Sequence, residues 1–319
     1  MNRSAIVSAL FPALGLSLAA IAFASVGCTA PDSTGDFADN ADPNATDAAD
    51  LRRRKDAGAD AAKTDAGGST GTAPLPPPAP GGHWKPAPGT SWQWQIGGTG
   101  ALDTSFDVQM YDIDLYNNSA ETIASLKTAG RKVVCYFDTS YEPGRPDSAL
   151  LDPYKYNAMK GWPGQYWLDV RAPAVVDVMK ARIALAQSKG CDGIEADDVD
   201  SRSNNPGTGI TAVEQQAFIR TLAAEAHARG MAYALKSDID DVQAVLADVD
   251  FDINEECLKY NECAALTPFI TAGKAVFEVE YTAGTLSSLS GAVCPQSNAL
   301  NFDTLIKHLD LGAPRYSCR

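Results

Sequence analysis

Histidine is scarce in this chain: His83, His227 and His308 are the three among 319 residues. A hydrolase built on several imidazole-bound metal ions needs more nitrogen ligands than that, so we expect no metal centre and no cofactor. Basic charge is also short. Lys and Arg number 26 against 40 Asp and Glu, a formal net charge of −14. Nucleic-acid binding needs a basic face that displaces counterions, so that partner class is excluded, while a cationic partner suits the balance. A serine hydrolase would carry a Gly-x-Ser-x-Gly elbow between a strand and a helix, and none occurs in residues 84–319; the one match, Gly67-Gly68-Ser69-Thr70-Gly71, lies in a stretch without large apolar runs. Gly98-Thr99-Gly100-Ala101-Leu102-Asp103 approaches a dinucleotide fingerprint but ends in Asp where Gly is required. Cys-x-x-Cys metal knuckles are missing as well.

Large apolar side chains are almost absent from one long stretch. Residues 29–83 are Ala, Asp, Gly, Thr and Pro, closing on Pro76-Pro77-Pro78-Ala79-Pro80-Gly81-Gly82. Such a segment cannot bury enough surface to offset the entropy of ordering, so it reads as a disordered tether. The cluster Arg52-Arg53-Arg54-Lys55 within it reads as a solvated part of the tether. Before it, residues 1–28 have Arg3, an apolar run broken by Pro12, and Ser25-Val26-Gly27-Cys28. This resembles a bacterial lipoprotein signal with Cys28 as the lipidated residue and a membrane as partner. Ser25 stands where Leu is usual, and an ordinary cleaved signal is the alternative. In either case the protein is expected to be exported.

Export gives the remaining cysteines a role. Cys135, Cys191, Cys257, Cys263, Cys294 and Cys318 are an even set, and exported proteins form disulfides. Many connectivities are open. Closeness in sequence favours Cys257–Cys263 and Cys294–Cys318, which leaves Cys135 with Cys191.

Hydrophobic residues make up 45% of the chain, enough for a large core. Residues 84–319 suit one (β/α)8 TIM barrel, and we expect a monomer. They keep 31 of the 40 acids and 20 of the 26 bases, a net charge of −11. Short β-rich runs alternate with helical ones. The strand candidates are 92–96, 106–113, 132–137, 191–195, 231–235, 250–254, 275–279 and, weakly, 299–302. Helical periodicity covers 118–129, 172–189 and 211–229, the last opening on a Thr211-Ala212-Val213-Glu214 capping box. Alternating β and α runs imply a parallel sheet, either a closed barrel or a doubly wound open sheet.

Sites in parallel α/β folds lie at the C-terminal strand ends. There the chain carries Asp112, Tyr136 and Asp138, then Glu195, Asp197, Asp198 and Asp200. Lys236, Glu255, Glu280 and Tyr281 follow. Two carboxylates facing one bond are the equipment of glycoside hydrolysis, one neutral to protonate the leaving oxygen and one ionised. Aromatic residues such as Trp92, Trp94, Tyr111, Tyr136, Trp167 and Tyr281 offer faces for sugar rings. The run 195–200 lacks the Gly and closing Glu of a calcium-binding EF-hand loop.

A family resemblance is carried by Trp92-Gln93-Trp94-Gln95, Tyr111-Asp112-Ile113-Asp114, Val134-Cys135-Tyr136-Phe137 and Trp167-Leu168-Asp169-Val170. It continues through Gly190-Cys191-Asp192-Gly193-Ile194-Glu195-Ala196-Asp197-Asp198-Val199-Asp200, Asn254-Glu255-Glu256-Cys257 and Glu280-Tyr281. In that order these motifs resemble glycoside hydrolase family 114, the endo-α-1,4-polygalactosaminidase-like proteins. The resemblance implies a cofactor-free barrel that cuts a cationic amino-sugar polysaccharide. It places the catalytic carboxylates on Asp197 and Glu255, in a mechanism expected to be retaining, with the acid and nucleophile roles open. It has Asp112, Tyr136, Lys236 and Tyr281 line the substrate groove, and we expect Trp94, Asp138, Glu195, Asp198 and Glu280 to bind substrate beside them. Asp198 stands where the family commonly has Asn, and Ala196 where it has Pro. The alternative is a surface lipoprotein that binds polysaccharide on the same barrel without cutting it.

Overall fold

The computed structural model describes residues 82–204 and 206–319. The signal-like segment with Cys28, and the tether up to residue 81, lie outside the described residues. The described residues form eleven strands: β1 (Trp92–Gln95), β2 (Met110–Asp114), β3 (Lys132–Asp138), β4 (Lys155–Ala158), β5 (Tyr166–Leu168), β6 (Gly193–Asp197), β7 (Ala232–Lys236), β8 (Phe251–Glu255), β9 (Val276–Tyr281), β10 (Asp303–Lys307) and β11 (Tyr316–Ser317). The main sheet runs β1-β2-β3-β6-β7-β8-β9-β10-β11, and β4 and β5 form a separate antiparallel hairpin. The ladders from β1 through β10 are parallel, and β11 adds to β10 antiparallel. The sheet curls into a barrel of the (β/α)8 type. A side-chain bond brings β1 to β10, the last of the parallel strands: Trp92 Nε1 donates to the Asp303 carbonyl at 2.8 Å.

Alternation along each strand builds two cores. On β3, Val133, Cys135 and Phe137 face outward to the helical layer, whereas Val134 joins Trp92, Trp94, Met110, Phe251, Ile253, Phe277, Val279 and Leu305 inside the barrel. Gly193 leaves room here. A Cβ on it would meet Val134 Cγ2 at 3.2 Å.

The helices are α1 (Ala120–Thr128), α2 (Ser148–Leu151), α3 (Pro173–Lys189), α4 (Ala212–Ala228), α5 (Val242–Val245), α6 (Cys257–Tyr260), α7 (Thr267–Thr271) and α8 (Ser290–Leu300). Three of the four long ones were legible from their ends. Ser119 caps α1, Pro173 opens α3, Gly190 at φ 93° closes it, and the Thr211/Glu214 capping box forms at α4. None of the helices among the described residues is long and apolar enough to cross a membrane.

Two expected strands need correction, and one hairpin was missed. The strand expected over 106–113 begins only at Met110 and runs to Asp114. Residues 299–302 are not the eighth strand. Ala299 and Leu300 end α8, Asn301 closes it at φ 61°, and the strand begins at Asp303. Its inward positions Asp303 and Lys307 are buried yet charged, which hid the alternation. The hairpin β4–β5 had no counterpart in the sequence reading, because Lys155–Ala158 is largely exposed and carries no apolar alternation.

Three disulfides form, Cys135–Cys191, Cys257–Cys263 and Cys294–Cys318. The first ties β3 to the entry of β6 across a sequence separation of 56. A chain-entropy argument gives such a cross-link about 4 kcal/mol. The double variant Cys135→Ala/Cys191→Ala is therefore expected to melt roughly 10 °C lower in non-reducing buffer. A shift of less than about 2 °C in thermal unfolding would show the link to be idle.

Candidate active site

Three neighbouring strands each end on a charged side chain. Asp197 closes β6, Lys236 closes β7 and Glu255 closes β8. In each case the next residue is left-handed: Asp198 at φ 63°, Ser237 at φ 56° and Glu256 at φ 58°. A non-glycine residue there costs on the order of 1 kcal/mol. The bend turns the chain off the rim at once, so the three side chains project into the barrel mouth. Asn and Asp tolerate this region best, which accounts for both the Asp at 198 and the Asn common there in the family it resembles.

The three groups are joined. Lys236 Nζ donates to Asp197 Oδ1 and to Glu255 Oε2, both at 3.0 Å, and sits 3.8 Å from Glu195 Oε1. Burial alone would favour the neutral amine, but the charges of Asp197, Glu255 and Glu195 hold its pKa well above the usual lysine value. It is therefore a fixed ammonium. Because one nitrogen bonds both oxygens, Asp197 and Glu255 present oxygens no more than about 6 Å apart. Asp197 also accepts the Asp198 N–H at 2.8 Å, and the Tyr136 hydroxyl, 2.5 Å from Asp138 Oδ1, lies 3.2 Å from Asp197 Oδ2. The Tyr281 hydroxyl donates to Glu255 Oε1. Both phenols are pushed well above their ordinary pKa by burial and by the carboxylates beside them, so they remain donors.

These groups open into a cleft of about 760 Å³. Asp138, Asp198, Asp200 and Asp238 line it together with Asp197 and Glu255. Burial and the neighbouring charge of Asp197 lift Asp198, and burial with Glu142 and Asp197 lifts Asp138. Burial raises Asp200 to about 6, and burial with Asp241 raises Asp238 to about 9. The cleft thus holds a reserve of carboxyls that ionise when a cation enters or the pH rises.

Of the residues expected to touch substrate, Tyr136, Asp138, Asp198 and Lys236 line the cleft with the two carboxylates. Trp94 also borders it but is fully buried, donating from Nε1 to Glu195 Oε2 at 2.9 Å, with Lys236 Nζ 5.4 Å from its ring centre. Asp112 and Glu195 lie behind it, both fully buried. Burial lifts Asp112 to about 7, and burial with the Asp112 charge lifts Glu195. Tyr281 acts on Glu255 as described. Glu280 faces away from the cleft, on the outer side of β9. Its Oε1 accepts the N–H groups of Leu258 and Lys259 at 2.8 and 3.2 Å, and Glu278 Oε1 accepts that of Cys257 at 3.3 Å. Together they pin the turn that follows Glu255.

Sequence reasoning missed the cleft's outer walls. Trp162, on the tip of the β4–β5 hairpin, is 54% exposed, and Tyr260, inside the Cys257–Cys263 loop, is 41% exposed. Their only signal was an aromatic side chain in a polar stretch. Asp114, by contrast, sits at a strand end yet is taken by Arg145 at 2.8 Å.

The model of glycoside-hydrolase family GH114 matches residues 73–319. Among solved structures, Aspergillus fumigatus Ega3, in complex with galactosamine, shares 37% sequence identity at a TM-score of 0.70, covering 74% of this chain and 97% of that one. The glycoside hydrolase domain of PelA from Pseudomonas aeruginosa shares 12% identity at a TM-score of 0.58, covering 71% of this chain and 98% of that one, a likeness of fold. No curated protein matches the chain.

The geometry makes Lys236 the keystone of the site. Lys236→Met is expected to lower kcat for glycan cleavage by roughly 100-fold or more, as loss of a preorganised charge does. The far-ultraviolet circular dichroism of the variant should match wild type. A folded variant with wild-type kcat would contradict the role.

Proposed function

The chain belongs to glycoside-hydrolase family GH114, and from that premise we propose that it is an exported endo-glycosidase that cuts α-1,4-linked galactosamine-rich polysaccharide by a retaining mechanism. The observation that carries the mechanism is the Lys236 bridge. Retaining enzymes hold their carboxyls about 5–5.5 Å apart and inverting ones about 6.5–9.5 Å, and a shared ammonium that keeps one oxygen of Asp197 within about 6 Å of one of Glu255 supports the shorter spacing.

Asp197 receives the Lys236 ammonium and the Asp198 N–H, which suits an ionised nucleophile. Its carboxylate attacks C1 of the sugar from the face opposite the glycosidic oxygen while Glu255, carrying the proton, gives it to that departing oxygen. The bond from C1 to that oxygen breaks and a glycosyl ester forms. Glu255, now ionised, takes a proton from water, whose oxygen attacks C1 and releases Asp197. Two inversions leave the anomeric configuration unchanged. Throughout, Lys236 and Tyr281 hold Glu255 in place.

The substrate class rests on charge. A barrel with a net charge of −11 has its cleft lined by Asp138, Asp198, Asp200 and Asp238, which suits the ammonium groups of a deacetylated amino-sugar polymer. The galactosamine bound to Ega3 agrees with that choice. Trp162 and Tyr260 offer faces for sugar rings beyond the cut bond. Export is supported by the signal-like N-terminus and by three disulfides. Lipid anchoring through Cys28 and a monomeric state complete the reading.

Asp197→Asn and Glu255→Gln are each expected to lower kcat by roughly 1,000-fold or more on deacetylated α-1,4-galactosamine oligomers, with product masses read by mass spectrometry. Two variants cutting at the wild-type rate would place the site elsewhere. Retained binding with no new reducing ends from wild type would make the protein a binding module. The pH response follows from Asp200. Its carboxyl is protonated below about 6, so raising the pH from 5 to 7 turns it into an anion while the sugar amine stays cationic. KM for the cationic oligomer should fall over that range, and Asp200→Asn should flatten the change.

A further inference from the structure

His83, His227 and Asp250 meet at the far end of the barrel from the cleft. Asp250 immediately precedes β8, whereas Glu255 ends that strand, so five residues, about 16 Å of strand, separate the two places. His83 comes from the segment leading into β1, and His227 from the last turn of α4. The two imidazoles stack, centres 4.2 Å apart and planes 8° from parallel. Each presents Nε2 to a different oxygen of the one carboxylate. His83 Nε2 lies 2.8 Å from Oδ1 and His227 Nε2 lies 2.7 Å from Oδ2. The Tyr233 N–H donates to Oδ2 at 3.0 Å, and Lys85 Nζ lies 3.3 Å from Oδ1. The Asp250 side chain is 1% exposed, His83 13% and His227 29%.

We propose that His83, His227 and Asp250 form a binding site for a divalent transition-metal ion of the zinc class, fastening the entry segment to the base of the barrel. Two imidazole nitrogens and a carboxylate are a donor set that such ions favour, and the set leaves open positions for water. One ligand atom from each residue can be chosen so that all lie within 4.8 Å of one another. Ligands on opposite sides of a zinc ion are about 4.2 Å apart at most, so the widest pair must close by up to about 0.6 Å. The rings must also tilt out of their parallel stack, a rotation about χ2 that is soft for histidine. No proton need leave the protein. A neutral imidazole moves its hydrogen from Nε2 to Nδ1, freeing the Nε2 lone pair for the ion. The buried carboxylate supplies the negative charge. Lys85 opposes the ion, but its side chain is 60% exposed and free to swing into water.

The site makes predictions that leave the glycosidase machinery untouched. Purified protein, stripped of metal by chelator and dialysis, is titrated with zinc chloride by isothermal calorimetry at pH 7.5. One equivalent should bind, and saturating zinc should raise Tm by about 5 °C or more. His83→Gln and His227→Gln keep an N–H for Asp250 but lose the lone pair, so each should weaken binding at least tenfold without lowering the metal-free Tm by much. His308→Gln, whose imidazole bonds the Thr282 carbonyl at the other end, should bind as wild type. Lys85→Gln should bind several-fold more tightly. Zinc affinity that is absent in wild type, equal in the two glutamine variants, or lost with His308 would overturn the site.

Discussion

One ammonium group organises the mouth of this barrel. Lys236 is 2% exposed, and its charge persists only because three carboxylates surround it. A buried cation without partners would cost several kcal/mol and would shed its proton. The dependence is mutual. Without Lys236, Asp197 and Glu255 would repel each other across the cleft instead of facing a common bond. The strained residues at 198, 237 and 256 are what place the three side chains within reach of one another. Their cost is offset by the packing of the strands behind them, where Phe251, Ile253, Phe277 and Val279 fill the interior.

Around that centre the barrel arranges layers of carboxyls with different work. Asp197 and Glu255 face the cleft. Asp138, Asp198, Asp200 and Asp238 line it, and burial raises the pKa of each, so that they take on charge at higher pH than ordinary carboxyls. This keeps an acidic cleft from repelling itself apart. Glu278 and Glu280 serve the backbone, holding the N–H groups of the turn after Glu255. The disulfide Cys257–Cys263 closes the same loop from its other side. The position of Glu255 is thus fixed by its strand, its Tyr281 partner and the anchored turn.

Much of this was legible in the sequence, for identifiable reasons. Helix ends carry local signals such as Ser119, Pro173 and the Thr211/Glu214 box, and these placed α1, α3 and α4. The rule that sites gather at C-terminal strand ends brought Asp197, Lys236 and Glu255 together before any coordinates did. What the rule does not contain is direction. Glu280 and Asp112 lie in the C-terminal halves of their strands too, yet alternation turns Glu280 outward and depth buries Asp112 below the cleft. The hairpin carrying Trp162 was illegible because its strands are exposed and lack an apolar face. The base cluster was hidden for another reason. His83 and Asp250 lie 167 residues apart, and no local pattern links them.

The central claim is that the Lys236 bridge sets a carboxylate spacing which permits double displacement. The anomeric form of the first product reports on that spacing directly. Proton NMR during cleavage of a deacetylated α-1,4-galactosamine oligomer, read before mutarotation, should show the α anomer at the new reducing end. Initial formation of the β anomer would mean a water between the carboxylates, and the account of the site would be wrong.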